Sequence, residues 1–222
     1  YQKINLKFFY LIKKKFKNIY KNKIQFKDEL KFIDSDKLSK FLDKNIFKIE
    51  KLAGIFIKNI FLIINSDRNL NVDICLKKKN YEGTINHKNL ETTLIEMKDL
   101  FKENYQEQNI LHMIVVNYII NGKNYSSFKP DVKSDHLCLE VNFISISNNL
   151  LVFLEKILEK YQINIIQYLN ESYISNLFNE KNIELSEMAH KIRNGFNENE
   201  VILVPKNIEN KGFFEKFFQL FS

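Results

Sequence analysis

Apolar positions recur at intervals of three and four over Leu38, Phe41, Leu42, Ile46, Ile49, Leu52 and Ala53, behind Asp34, Ser35 and Asp36. That spacing predicts an amphipathic helix with an acidic or hydroxyl cap, ending near Gly54. Residues 55–64 follow as a β-rich run. Val72, Ile74 and Leu76 alternate with Asp73 and Cys75, which marks a strand at 72–76. A second helix is predicted over about 87–103, where Leu90, Leu94, Met97, Phe101 and then Tyr105 form one stripe, and the apolar run 110–120 reads as the next strand. Residues 122–134, with Pro130, read as a polar loop.

Leu137, Leu139, Val141 and Phe143 share one face of a further strand, but Ile144 and Ile146 shift the apolar positions. This predicts either cover on both sides or a bulge near the strand's end. The polar Ser147-Asn148-Asn149 opens a third helix whose Leu150, Phe153, Leu154, Ile157, Leu158 and Tyr161 lie on one face. A short strand at 163–166 and a helix near 171–178 complete the order α-β-β-α-β-β-α-β-α. The expected class is α+β, with helices packed on one face of a mixed β-sheet, over a domain spanning 34–180.

The flanking segments differ in character. Residues 1–33 hold two apolar stretches, 4–12 and 24–26, around a lysine-rich centre. They read either as a hairpin or as a basic amphipathic helix with Phe9, Ile12, Phe16 and Ile19 on one side. Residues 181–208 carry a short helix over 185–192 and a strand at 201–204 stopped by Pro205.

In the last segment, 209–222, Phe213, Phe214, Phe217, Phe218, Leu220 and Phe221 make one broad apolar face away from Glu215, Lys216 and Gln219. A helix of ten residues, about 15 Å long, can lie in a membrane interface with its phenylalanines among the acyl chains. The expected membrane-binding residues are therefore Phe213, Phe214, Lys216, Phe217, Phe218, Leu220 and Phe221. The alternative is a face that docks on its own domain or on a partner, leaving a protein-binding module with no membrane role.

Composition narrows the chemistry. The 45% hydrophobic content is that of a globular protein, and the shortage of Gly (5), Pro (2) and Trp (0) points to a biased genome. Ten lysines against Asp28 and Glu29 in residues 1–32 account for more than the whole net charge of +7. The remainder is close to neutral, without an arginine-rich or stacking signature, so nucleic acid is not an expected partner. The basic N-terminus suits an anionic leaflet, where each lysine contributes about 1 kcal/mol, or equally a solvated charge run.

Cys75 and Cys138 offer neither metal spacing nor a disulfide framework, which makes a reducing compartment the default. No apolar run approaches the length needed to cross a bilayer, and no signal peptide is expected. The five glycines are too dispersed for a phosphate-binding loop. His136 and Cys138 share one strand face beside Asp135, but two ligands do not make a zinc site, and Cys138 reads as a core residue with His136 at an edge. His112, between apolar neighbours, reads as a hydrogen-bonded core histidine rather than a catalytic base. No cofactor, metal or catalytic residue is nominated, and a non-enzymatic role is expected.

Several of these segments, taken in order, resemble the FtsA family of bacterial cell-division proteins, chiefly its inserted SHS2 (1C) subdomain. The helix from Asp36 to Ala53-Gly54, the strand at 57–64, and Ile110-Leu111-His112-Met113-Ile114 with Tyr118 are similar to family patterns. So are the strand at 141–147, the helix at 150–160, and 163–172 with Tyr173. Val115 replaces the family's proline, the glycine after the long helix is missing at Tyr161-Gln162, and no phosphate-binding element precedes Asp34. The resemblance implies a reduced form lacking the actin-like ATP-binding halves: an interaction module with a C-terminal membrane-targeting helix. Its implied partners are cell-division proteins, other copies of itself and the inner face of the cytoplasmic membrane, where it would lie peripherally in the cytoplasm. Binding to the ring protein FtsZ, which the family makes through the missing half, is not implied.

Overall fold

Helix α1 (Ser35–Ala53) is closed at both ends by the residues its sequence suggests. The Asp34 carboxylate accepts the Lys37 N–H at 2.9 Å, and Gly54, at φ 69°, turns the chain out of the helix while its N–H reaches the Glu50 carbonyl at 2.8 Å. The computed structural model describes residues 2–12, 15–26, 34–66, 68–80, 83–178 and 183–202; in the first two stretches the side chains described are Tyr20, Lys21, Asn22 and Ile24. Leu38, Leu42, Ile46 and Ile49 are buried as the spacing predicts. Leu52 is not: it is 62% exposed, at the margin of the buried stripe, while Ala53 beside it is half-buried.

The basic N-terminal stretch is a hairpin rather than a helix. β1 (Gln2–Ile12) and β2 (Lys15–Phe26) pair antiparallel, with a register shift at Phe8/Phe9. Asn45, fully buried in α1, fastens the hairpin: its side-chain oxygen accepts from Asn22 at 2.7 Å and from the Tyr20 hydroxyl, and its amide donates to the Phe41 carbonyl. Tyr20 and Ile24 add apolar contact to the cluster of Leu38, Leu42, Ile46 and Ile49.

After α1 the chain reaches β3 (Asn59–Ile64), which lies parallel to β10 (Asn164–Asn170). The strand expected from residue 55 begins only at Asn59; Ile57 is buried in the connection, its N–H held by Glu50 at 3.0 Å. Ile60 through Ile64 is an unbroken apolar run, so both faces of this pair need cover. Ile60, Leu62 and Ile64 turn towards α1 and α3 (Asn148–Glu159), while Ile63 and Leu169 turn towards α4 (Glu171–Leu177) and α5 (Leu185–Arg193).

Between β3 and α3 the chain builds a second layer. β4 (Leu70–Lys79), α2 (His87–Asn104), β6 (Gln108–Ile120) and β9 (His136–Ser147) follow in strand, helix, strand, strand order. The sheet is antiparallel in the order β4-β9-β6-β7, with β7 (Lys123–Tyr125) at one edge. Leu90, Leu94, Met97 and Phe101 of α2 pack on its inner face against Met113, Val115, Leu139, Val141 and Phe143, with Phe101 stacked on Phe143 at 4.8 Å. Asn86 and Asn89 cap α2 reciprocally.

The helices are thus shared between two sheets, and not gathered on one face of a single mixed sheet. The α+β class stands. The loop expected over 122–134 contains β7, joined to β6 by the two-residue turn Asn121-Gly122 (φ 52° and 73°), and β8 (Val132–Lys133), paired with β5 (Thr84–Ile85). The end of β9 is covered on both sides, with Phe143 to Ile146 consecutively buried, while the bulges fall in β6 at Leu111 and Val116. Leu111 joins the apolar cluster of Ile64, Ile146 and Leu151, so the irregular strand ties the two layers together. Ser147 stands at the start of α3 without a side-chain cap bond.

Candidate functional site

The densest polar arrangement among the described residues centres on His112, whose side chain has no exposure. The bulge at Leu111 places it beside the end of β10, where the Asn170 N–H donates to Nε2 at 2.8 Å. Nε2 is therefore the acceptor and Nδ1 carries the proton, which it donates to Oε1 of Glu200 at 2.6 Å. The Tyr173 hydroxyl donates to Oε2 of Glu200 at 2.7 Å and accepts from the Asn197 amide at 2.9 Å. Its ring lies 4.3 Å from the imidazole. Burial, and then the adjacent carboxylate, push the Tyr173 hydroxyl far above the usual phenol range, so it stays a donor.

Local sequence explains each placement. Asn170 is the N-cap of α4, its side chain accepting the Tyr173 N–H at 2.7 Å, which turns Tyr173 back over the histidine. Glu200 is held by an antiparallel bridge to Ile114, in which the Val115 N–H donates to the Asn199 carbonyl and the Val201 N–H to the Met113 carbonyl, both at 2.8 Å. The strand expected at 201–204 is represented by this bridge; 203–204 lie outside the described residues. His112 is a hydrogen-bonded core histidine, as its neighbours suggest. With both nitrogens committed to protein groups, the constellation acts as a clasp joining β6, the start of α4 and the segment around Glu200.

Sequence reasoning missed the partners of this clasp. Glu200 and Tyr173 lie 88 and 61 positions from His112, and only the fold brings them together.

His136 and Cys138 share one face of β9, but the face is the outer one. His136 is exposed, and Cys138, expected in the core, is half-buried beside Cys75 of β4, with Sγ to Sγ at 3.2 Å. The correction follows from register: Leu137, Leu139 and Val141 take the inner face, so the residues between them must point outward. No group of three metal-capable side chains occurs among the described residues.

Exposed apolar side chains gather where α1 ends: Phe47, Leu52, Ile55 and Phe56, the last 80% exposed. No helix among the described residues is long and apolar enough to cross a membrane. The expected membrane-binding residues Phe213, Phe214, Lys216, Phe217, Phe218, Leu220 and Phe221 lie outside the described residues.

No protein-family model matches the chain, and no curated protein matches it.

Proposed function

We propose that this chain is a non-enzymatic, membrane-associated adaptor of the bacterial cell-division machinery, built on an SHS2-like interaction module. The observation that carries the reading is the strand, helix, strand, strand succession of β4, α2, β6 and β9, with α2 on one face. The unit is inserted between β3 and β10, two strands that pair with each other. The resemblance to the FtsA family runs over 34–180, the stretch that contains this unit. In this reading the exposed Leu52, Ile55 and Phe56 at the end of α1 are the apolar side chains offered to a protein partner.

Attachment in this reading runs through the phenylalanine face of 213–221, aided by the N-terminal lysines, on the inner face of the cytoplasmic membrane. One such helix binds weakly, so effective attachment needs several copies acting together. The test is flotation of the full chain with anionic vesicles. The wild type is expected to float and Phe217→Asp/Phe218→Asp to remain at the bottom with an unchanged circular dichroism spectrum. Equal flotation of the two forms rejects the anchor. In the alternative reading the tail docks on its own domain; a large fall in melting temperature on deleting 209–222 would select it.

A further inference from the structure

The chain has two cysteines in 222 residues, 63 positions apart, and the fold sets them side by side. On β4 and β9 Cys75 stands opposite Glu140 and Cys138 opposite Lys77, so the thiols are diagonal neighbours on the outer face of the sheet. Their sulfurs are 3.2 Å apart. Cys75 is exposed on an edge strand, where a small reagent reaches it, and Cys138 is half-buried behind it. We propose that Cys75 and Cys138 form a thiol-exchange site that a low-molecular-weight disulfide converts into a cross-strand disulfide.

Each sulfur has a distinct part. Burial, then the hydrogen bond with Cys75, push the Cys138 thiol up to about 11, so Cys138 keeps its proton while the exposed Cys75 meets the reagent first. Cys75, having lost its proton to solvent, attacks one sulfur of the reagent. The reagent's S–S bond breaks, and one thiolate leaves and is protonated. Cys138 then loses its proton and attacks Sγ of Cys75, expelling the second thiolate. The two protein thiols are oxidised by two electrons and one small disulfide is reduced to two thiols.

Diagonal partners on antiparallel strands have Cα atoms about 7–8 Å apart, at or beyond the span of a relaxed disulfide. Closing the bond therefore requires the two strands to draw slightly together at this point. Such a pair stands as free thiols in a reducing compartment and closes when the thiol pool becomes oxidised.

The experiment exposes the full chain to oxidised glutathione and follows intact mass and non-reducing peptide maps. The native protein is expected to lose the mass of two hydrogens, link the Cys75 and Cys138 peptides within one chain and reopen with dithiothreitol. Cys138→Ser is expected to hold one glutathionyl group on Cys75. Closure in the folded protein is expected to be at least about tenfold faster than in urea, because the fold supplies the proximity. Persistent glutathionyl adducts on the native chain, linkage only between chains, or equal rates folded and unfolded would each overturn the assignment.

Discussion

Replacing Glu200 with Ala removes the one group that accepts from both His112 and Tyr173. The His112 donor does not regain water when the carboxylate goes, since its side chain has no exposure and that of Glu200 only 8%, whereas Tyr173 is half-buried. A buried donor stripped of its acceptor costs about 1–3 kcal/mol, so His112 alone predicts a loss of about 1–3 kcal/mol, to which the half-buried Tyr173 adds a smaller part. The lower end applies if a water fills the space of the lost side chain. Set against a total stability on the order of 5–15 kcal/mol, that is enough to shift a urea transition plainly. Glu200→Gln is the control, because its amide oxygen can still take the His112 proton while the Tyr173 hydroxyl rotates to accept from the amide nitrogen. It should cost less than half as much. The assay is urea denaturation followed by far-ultraviolet circular dichroism, with midpoints and slopes compared across the three proteins. A loss below about 1 kcal/mol for Glu200→Ala, or equal losses for Ala and Gln, would refute the clasp.

Two further outcomes are expected. Burial raises the Tyr118 hydroxyl to about 12, and burial with the bond to Asp43 does the same for Tyr161. The folded protein keeps protons that the unfolded chain has lost above about pH 10. This contribution is whole below about pH 10 and disappears as pH rises towards 12; for Tyr118 it amounts to about 3 kcal/mol. Urea midpoints should fall across that window, less steeply in Tyr118→Phe, and a flat profile would contradict the burial. Phe101→Ala should cost about 3–5 kcal/mol in the same assay, whereas Leu52→Ala should stay within about 0.5 kcal/mol. Comparable losses at the two positions would show that the helix faces are assigned wrongly.

Where each side chain could be judged from its near neighbours, the sequence was a good guide. The stripe of Leu90, Leu94, Met97 and Phe101 located α2 and its buried face, and Asp34 and Gly54 located the ends of α1. Leu52 failed because it lies at the margin of the stripe, and periodicity does not fix how wide the buried face is. The hairpin at β6–β7 had a local signature, Asn121-Gly122, whose preference for positive φ marks a tight turn; it was hidden inside a stretch read as loop. Layering was illegible for another reason. The apolar run 60–64 shows that β3 needs cover on both faces, but not which helices supply it, since α1 precedes it and α5 lies more than a hundred residues on. Likewise the alternation in β4 and β9 placed Cys75 and Cys138 on strands, while their meeting depended on register.

The bridge from Asn199 and Val201 to β6 also has a mechanical consequence. Among the described residues, those two backbone bonds and the Glu200 side chain between them are the hydrogen bonds nearest to Ile202. The strand they join is itself bonded along most of its length to β9. A tether fixed beyond this point would hold the module by its framework, and the bonds at Glu200 would set the force at which the tether peels away.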